Sequence, residues 1–188
     1  DVTKSSLNDS AVAANVRDAI TTFSTSNLGR FGNKLRFSRF VRSLDDTSDG
    51  YVLNNDATIK IEKRVTPNLN VAELVSLQFN NAIRPGSMGS SEFTYNGFSA
   101  FLGDDGLGII SIFRYSDSKE RVNIIPVAGT VDYVTGIVTI ENFLPSAFSN
   151  LELRINVSPE NLDIIPIREQ ILLLNSPDAI INVVGEQT

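Results

Sequence analysis

Alternation of apolar and polar side chains marks the middle of the chain as β-structure. Val131 and Tyr133 fall on one side of a first segment, and Val138 and Ile140 fall on one side of a second. A period of two residues is typical of strands with one buried face. Gly136 lies between the segments and supplies the positive φ that a tight connection needs. The pattern therefore predicts an antiparallel hairpin over residues 130–141.

Short apolar segments separated by turn residues continue on both sides of this hairpin. The dipeptide Asn96-Gly97 is the strongest short signal of a two-residue hairpin loop. Turns about every 8–12 residues are typical of a β-sandwich or barrel. Further strands are predicted over residues 57–65, 73–82, 93–95, 98–102, 107–115, 121–127, 151–157, 171–174 and 179–184.

Helical spacing is confined to the front of the chain. Asn8 or Ser10 can cap a first helix that ends near Phe23, because a run of Thr and Ser from Thr21 onward weakens it. Ser38 can cap a second, short helix. The apolar positions of the two helices are Val12, Val16, Ala19, Ile20, Phe23, Phe40, Val41 and Leu44.

The balance of charge changes near Pro67, which also ends a strand pattern. Residues 1–70 hold ten Lys and Arg against eight Asp and Glu, whereas residues 71–188 hold six against fourteen. We therefore predict an α+β fold that is mostly β. A small unit of two helices and a strand occupies residues 1–68, and an antiparallel β-sandwich-like domain occupies residues 69–188.

Three arginines recur at every third position through the second helix and the residues just before it, and they form the most distinctive charged feature of the chain. Arg36, Arg39 and Arg42 share roughly one side of it. One interpretation is a solvent-exposed helix face. The other is a contact surface for an acidic partner, since Arg forms two-pronged hydrogen bonds with carboxylates. We name these three residues as a possible protein interface.

The composition excludes much catalytic chemistry. The chain has no Cys and no His, which removes thiol nucleophiles, imidazole bases and the usual zinc ligands. No phosphate-binding glycine loop or nucleophile elbow is present, and the neighbouring carboxylates lie in turn sequences, where Asp usually serves the backbone. We predict no enzyme activity and no cofactor. These carboxylates are Asp45 with Asp46, Asp104 with Asp105, and Glu160 with Asp163.

Other ligands and surroundings receive weaker support from the residues. The segment from Asp45 to Asp56 has some calcium-loop spacing, but a strand and not a helix follows it. A second candidate is a ligand groove lined by Phe98 and Phe101 beside Asp104, although aromatic residues in hairpins usually belong to the core. The net charge of −6 disfavours nucleic acid, and no apolar run approaches the roughly 18 residues of a membrane span.

Five segments of the chain form an ordered set of short sequence patterns. The hairpin fits a GxVDYxTGxVTI pattern, and the second helix fits LRxSRxxxxxDD. The segments are residues 35–46 (LRFSRFVRSLDD), 59–64 (IKIEKR), 80–86 (NNAIRPG), 129–136 (GTVDYVTG) and 163–174 (DIIPIREQILLL). Taken in this order, they resemble the C-terminal part of a baseplate wedge protein of T-even-type contractile-tailed phages, which belongs broadly with the J-like baseplate proteins.

This resemblance implies a structural role without catalytic residues. Such proteins dimerise, bind other wedge proteins and link wedges into a ring in the virion, after assembly in the host cytoplasm. Because the chain begins without Met, we expect it to be part of a longer protein. The alternative hypothesis is a ligand-binding β-module, for carbohydrate or calcium, of a tail fibre or adhesin.

Overall fold

The computed structural model describes residues 9–46, 55–149, 152–166 and 171–184. Their contacts divide them into two compact units. The helical unit comprises the described residues up to 58 and those from 162 onward, and the β unit comprises residues 59–161. The boundary predicted between residues 68 and 69 lies inside the β unit, because residues 61–65 form a strand of its sheet.

Two helices form the core of the helical unit: α1, Asp9–Asn27, and α2, Phe37–Asp45. Their buried faces meet at Phe23 and Phe40, whose ring centroids lie 5.4 Å apart in an edge-to-face arrangement. Leu44 is also buried and Val41 is half-buried, so the predicted inward face of the second helix is confirmed.

The prediction that α1 ends near Phe23 is wrong, because the helix continues for another turn to Asn27. The hydroxyl groups of Thr21 and Thr25 donate to carbonyl oxygens one turn earlier, which the helix tolerates. Ser24 is buried, and its Oγ accepts a hydrogen bond from the backbone N–H of Leu174. A contact distant in sequence therefore stabilises a turn of poor helix formers.

The β unit is built on one antiparallel sheet of ten strands. The main order is β1-β10-β3-β5-β6-β7-β8-β2, and β4 joins β5 to β9 beside it. The mostly β, α+β fold is thereby confirmed. The strands are β1 Ile61–Val65, β2 Glu73–Gln78, β3 Gly89–Ser90, β4 Phe93–Tyr95, β5 Phe98–Asp104, β6 Ile109–Tyr115, β7 Arg121–Asp132, β8 Ile137–Phe143, β9 Ala147–Phe148 and β10 Leu153–Val157.

The sheet curls into a nearly closed, barrel-like form around one core. Ile61 from the edge strand β1 and Leu77 from the opposite edge strand β2 pack against the same apolar cluster. A flat sheet would separate these edges, so the curvature follows from their shared core. The fully buried side chains include Phe93, Ala100, Ile110, Val138, Ile140, Phe143, Leu153, Ile155 and Val157.

The central hairpin predicted from the sequence is confirmed. Val131 pairs with Val138, and Gly136 has a φ of +72° in the turn. The sequence predicts separate strands over residues 121–127 and in the first arm of the hairpin, but in the structure β7 runs without interruption from Arg121 to Asp132. Pro126 is accommodated where the register with β6 shifts, which is where a strand tolerates proline.

The hairpin predicted at Asn96-Gly97 is also confirmed, and it joins β4 to β5. Both loop residues have positive φ, 49° for Asn96 and 78° for Gly97, as a type I′ turn requires.

The two final strands predicted over residues 171–174 and 179–184 are wrong. These residues are irregular and flank a single 3₁₀ turn, Ser176–Asp178. The backbone of the first segment bonds instead to the end of α1, where Gly29 N–H donates to the Leu172 carbonyl. Alternating apolar sequence makes a strand only when a neighbouring strand supplies its hydrogen bonds, and no described strand pairs with either segment.

Candidate interaction surfaces

Arg36 lies at the N-cap position of α2 and helps to position the helix. Its Nη1 is 2.9 Å from Asp163 Oδ2, while Asp163 Oδ1 accepts a 2.8 Å hydrogen bond from the Phe37 N–H. The hydrogen bond from Arg36, with that from the Phe37 N–H, lowers the pKa of Asp163. The predicted Ser38 cap is wrong, because Asp163, remote in sequence, takes over that role.

The other two arginines of the predicted interface face solvent more freely. Arg42 Nε lies 3.7 Å from Asp46, and its side chain is 82% exposed. Arg39 is exposed and has no ion-pair partner among the described residues. The structure thus separates a positioning role for Arg36 from the open positions of Arg39 and Arg42. That all three form an interface stays a prediction.

A cluster of aromatic rings and an arginine covers part of the outer face of the sheet; we call Phe101, Phe113, Tyr115 and Arg121 the aromatic–arginine face. The register pairs Phe101 with Phe113, and Tyr115 with Arg121, on strands β5, β6 and β7. The three ring centroids lie 5.5–5.9 Å apart. The Arg121 guanidinium carbon is 4.0 Å from the Phe113 ring centroid, a cation–π arrangement.

Hydrogen bonds hold the Arg121 side chain in place on this face. Its Nη2 donates to the Gly103 carbonyl at 3.1 Å and to Ser111 Oγ at 2.6 Å. A Cβ added to Gly103 would lie 3.0 Å from the Phe113 ring and 3.5 Å from Arg121 Nη1. The glycine therefore leaves room for the stacked pair, while Tyr115 remains 56% exposed.

An open groove of about 290 Å³ adjoins the face. Asp105, at one side, accepts hydrogen bonds from the Leu107 and Ile109 N–H groups at 2.7 and 3.0 Å. The bond from Ile109, followed by that from Leu107, lowers the pKa of Asp105. The groove is polar, because Ser111, Asn123 and Arg121 supply hydroxyl, amide and guanidinium groups to its lining. Its lining residues are Asp105, Ile109, Ser111, Arg121, Asn123 and Pro126.

Asp104 belongs to a separate network on the core side of the sheet. Its carboxylate accepts hydrogen bonds from Gly86 N–H at 2.8 Å, Met88 N–H at 3.0 Å and the Tyr133 hydroxyl at 2.6 Å. Tyr133 Oη in turn accepts a 3.0 Å hydrogen bond from Gly108 N–H. Burial, and then the hydrogen bond to Asp104, raise the pKa of Tyr133 to about 12. This network ties two loops to the central hairpin.

The candidate groove predicted from Phe98, Phe101 and Asp104 does not form. Phe101 and Asp104 point to opposite faces of β5, and the Phe98 ring lies under the Arg114 guanidinium at 4.9 Å. The aromatic–arginine face was not predicted from the sequence, although the alternation of residues around the turn between β6 and β7 indicates it. Phe113 and Tyr115 before the turn at residues 117–118, and Arg121 and Asn123 after it, are spaced by two.

The proposed calcium loop falls largely on residues 47–54, which lie outside the described residues. At its ends, Asn55 Nδ2 donates a hydrogen bond to Asp45 Oδ1. Within the described ranges, no group of three or more acidic, His or Cys side chains is arranged to hold a metal ion. The calcium site stays a prediction.

No protein-family model and no curated protein matches the chain. In the part of the chain that the structure describes, no helix is long and apolar enough to cross a membrane.

Proposed function

We propose that the chain is a structural component of a phage tail baseplate wedge. It acts by self-association, as a homodimer, and by binding neighbouring wedge proteins, and it has no catalytic role. The order of the segments that resemble wedge proteins suggests this function. The observation that carries it is the aromatic–arginine face, a preformed surface of the kind that dominates protein interfaces.

The chemistry of that face suits protein recognition. Aromatic residues and Arg are enriched at interfaces, and Tyr and Arg are frequent among the residues that contribute most to binding. Arg121 is held by two hydrogen bonds and a ring, so little side-chain entropy is lost on binding. Tyr115 is exposed beside it and offers both a ring and a hydroxyl group.

Replacing Tyr115 by Ser tests this contact. We expect about a tenfold loss of affinity for a neighbouring wedge protein in a co-sedimentation or calorimetric titration, the effect of a moderate hot spot. Leu107→Ser is the matched control, because Leu107 is 87% exposed and lies away from the face. Equal affinities of the two variants would contradict a binding role for the face.

The exposed arginines of α2 provide a second contact for an acidic partner. The double variant Arg39→Glu/Arg42→Glu leaves the Arg36–Asp163 pair intact, and we expect it to weaken co-assembly. The control Lys60→Glu/Arg84→Glu makes the same charge change in the β unit. If both variants assemble alike, α2 presents only a solvated face.

The groove beside Arg121 favours a second candidate, a carbohydrate-binding module. Its hydroxyl, amide and guanidinium groups lie next to aromatic rings, a combination that suits a small polyol. Calorimetric titration with monosaccharides and with calcium separates the two functions. Saturable binding by a chain that stays monomeric at every concentration would favour the module and overturn the wedge proposal.

A further inference from the structure

The segment 179–184 belongs to no strand of the described sheet, Ala179 has an extended backbone, and the side chains that follow alternate between half-buried and exposed. Ile180 is 90% exposed and Val184 is 88% exposed, which is unusual for β-branched apolar side chains. Ala179 N–H bonds to the Ser176 carbonyl, but residues 180–184 make no hydrogen bond within the described ranges. An apolar stretch with free backbone donors and acceptors is a template for pairing with another strand.

The sequence of this segment is self-complementary. It reads Ala-Ile-Ile-Asn-Val-Val, with two β-branched residues on each side of Asn182. In an antiparallel pair of identical strands centred on Asn182, Ile180 faces Val184, Ile181 faces Val183, and Asn182 faces its own copy. Each apolar residue then meets an apolar residue, and the two amides can bond to each other.

We propose that residues 179–184 pair antiparallel with the same residues of a second copy, about a two-fold axis at Asn182. This inference rests on the self-association in the proposed function and names the segment that mediates it. An isologous contact requires a self-complementary patch, which this segment provides. The segment carries no charge, so no repulsion arises inside the ladder.

A sheet edge of another copy is the competing occupant. The free edge of β1 carries Glu62, Lys63 and Arg64, charges that protect an edge strand from added strands. The free edge of β2 is less protected, since Leu74 is 68% exposed. Pairing with β2 lacks the symmetric match of Ile with Val, so the second copy's own segment fits better.

The chain has no Cys, so the proposed strand pairing can be tested in the whole chain by introducing single cysteines and measuring disulfide crosslinking. Side chains directly opposite in an antiparallel pair have Cβ atoms about 4.5–5.5 Å apart, close to disulfide distance. We expect Asn182→Cys to form a disulfide-linked dimer at least tenfold faster than Leu107→Cys under mild oxidation. Ile180→Cys should crosslink poorly with itself, but well when mixed with Val184→Cys.

A second variant tests the pairing without crosslinking. Asn182→Asp preserves shape at an exposed position but places two carboxylates opposite each other at the axis. We expect at least a tenfold weaker dimer at pH 7 by sedimentation, with recovery near pH 3, whereas Asn182→Ser dimerises more strongly than Asn182→Asp at pH 7.

The outcomes separate this inference from the proposed function. If the chain dimerises but Asn182→Cys crosslinks no faster than Leu107→Cys, the pairing is wrong and self-association stands. Preferred crosslinking of Ile180→Cys to Leu74→Cys would also overturn it, in favour of β2. A chain that is monomeric at every concentration would overturn both proposals.

Discussion

At the scale of single residues, the central hairpin depends on a glycine that meets another loop. Gly136 has a φ of +72°, and a Cβ added there would lie 2.2 Å from the Asn81 carbonyl oxygen. Its own carbonyl accepts a 2.7 Å hydrogen bond from Phe79 N–H. The close approach therefore fixes how the strand β2 continues past its end.

Gly136→Ala should lower the free energy of unfolding by about 3 kcal/mol, since backbone strain and a steric clash add together. Gly97→Ala is the matched control, with a φ of +78° and no atom within 4 Å of the added Cβ. We expect about 1 kcal/mol for the control, from the backbone alone. Urea unfolding of both variants measures the difference, and equal losses would contradict the clash.

Tyr133→Phe should destabilise the protein by about 1–3 kcal/mol, because it leaves Gly108 N–H without its acceptor and removes a donor to Asp104. Tyr115→Phe is the control, on an exposed side chain. Thermal unfolding at neutral pH compares them, and matched stabilities would show that the hydroxyl contributes nothing.

The same hydroxyl predicts a loss of stability in alkali. The pKa of Tyr133 is raised from 10.0 to about 12 in the folded state. A raised pKa means that the stabilisation is complete below pH 10 and disappears as the pH rises to about 12. The wild-type advantage over Tyr133→Phe should therefore shrink across this range, as unfolding at a series of pH values would measure.

At the scale of elements, α2 depends on a cap from outside its own sequence. Asp163→Ala should fray the first turn of α2 and lower the melting temperature, while Asp18→Ala on the exposed side of α1 should change little. Because the pKa of Asp163 is lowered, its contribution is present above the unfolded-state value near 3.8 and is lost as the pH falls further. Amide hydrogen exchange at Phe37 measures both effects, and equal protection in the two variants would contradict the cap.

Elements with local signals were predictable from the sequence. The hairpins at Asn96-Gly97 and Gly136 carry their turn chemistry within a few residues, and alternation then assigns their faces. The α2 cap by Asp163 and the last turn of α1 depend on partners more than a hundred positions away. The prediction of strands over residues 171–174 and 179–184 is wrong for the same reason. The alternation of apolar residues does not show whether a neighbouring strand is present to supply hydrogen bonds.

The candidate surfaces also differ in whether their signals are local in the sequence or depend on distant partners. The spacing of Arg39 and Arg42 on an exposed helix face was readable from the sequence. The aromatic–arginine face combines three strands whose register depends on the irregular pairing of β6 with β7. Alternation predicts which face of its strand Phe113 or Arg121 occupies. It does not predict the register that brings the Arg121 guanidinium onto the Phe113 ring.

At the scale of the whole molecule, the β unit has an apolar core of its own. Every residue of its main cluster lies between residues 61 and 157. We expect a fragment of residues 57–161 to fold alone and to unfold cooperatively, with the near-ultraviolet circular dichroism of its tyrosines retained. Dye binding without a cooperative transition, as in a molten globule, would contradict this expectation.

The short hydrogen bond from Tyr133 to Asp104 also has an optical consequence. The chain has four Tyr and no Trp, so its ultraviolet emission comes from tyrosine alone. An excited phenol is a far stronger acid than the ground state, so we expect the Asp104 carboxylate, 2.6 Å from the Tyr133 hydroxyl, to accept its proton and to quench its emission. Opening of the central hairpin should therefore increase the tyrosine emission, so that the fluorescence of the untagged protein reports on its unfolding.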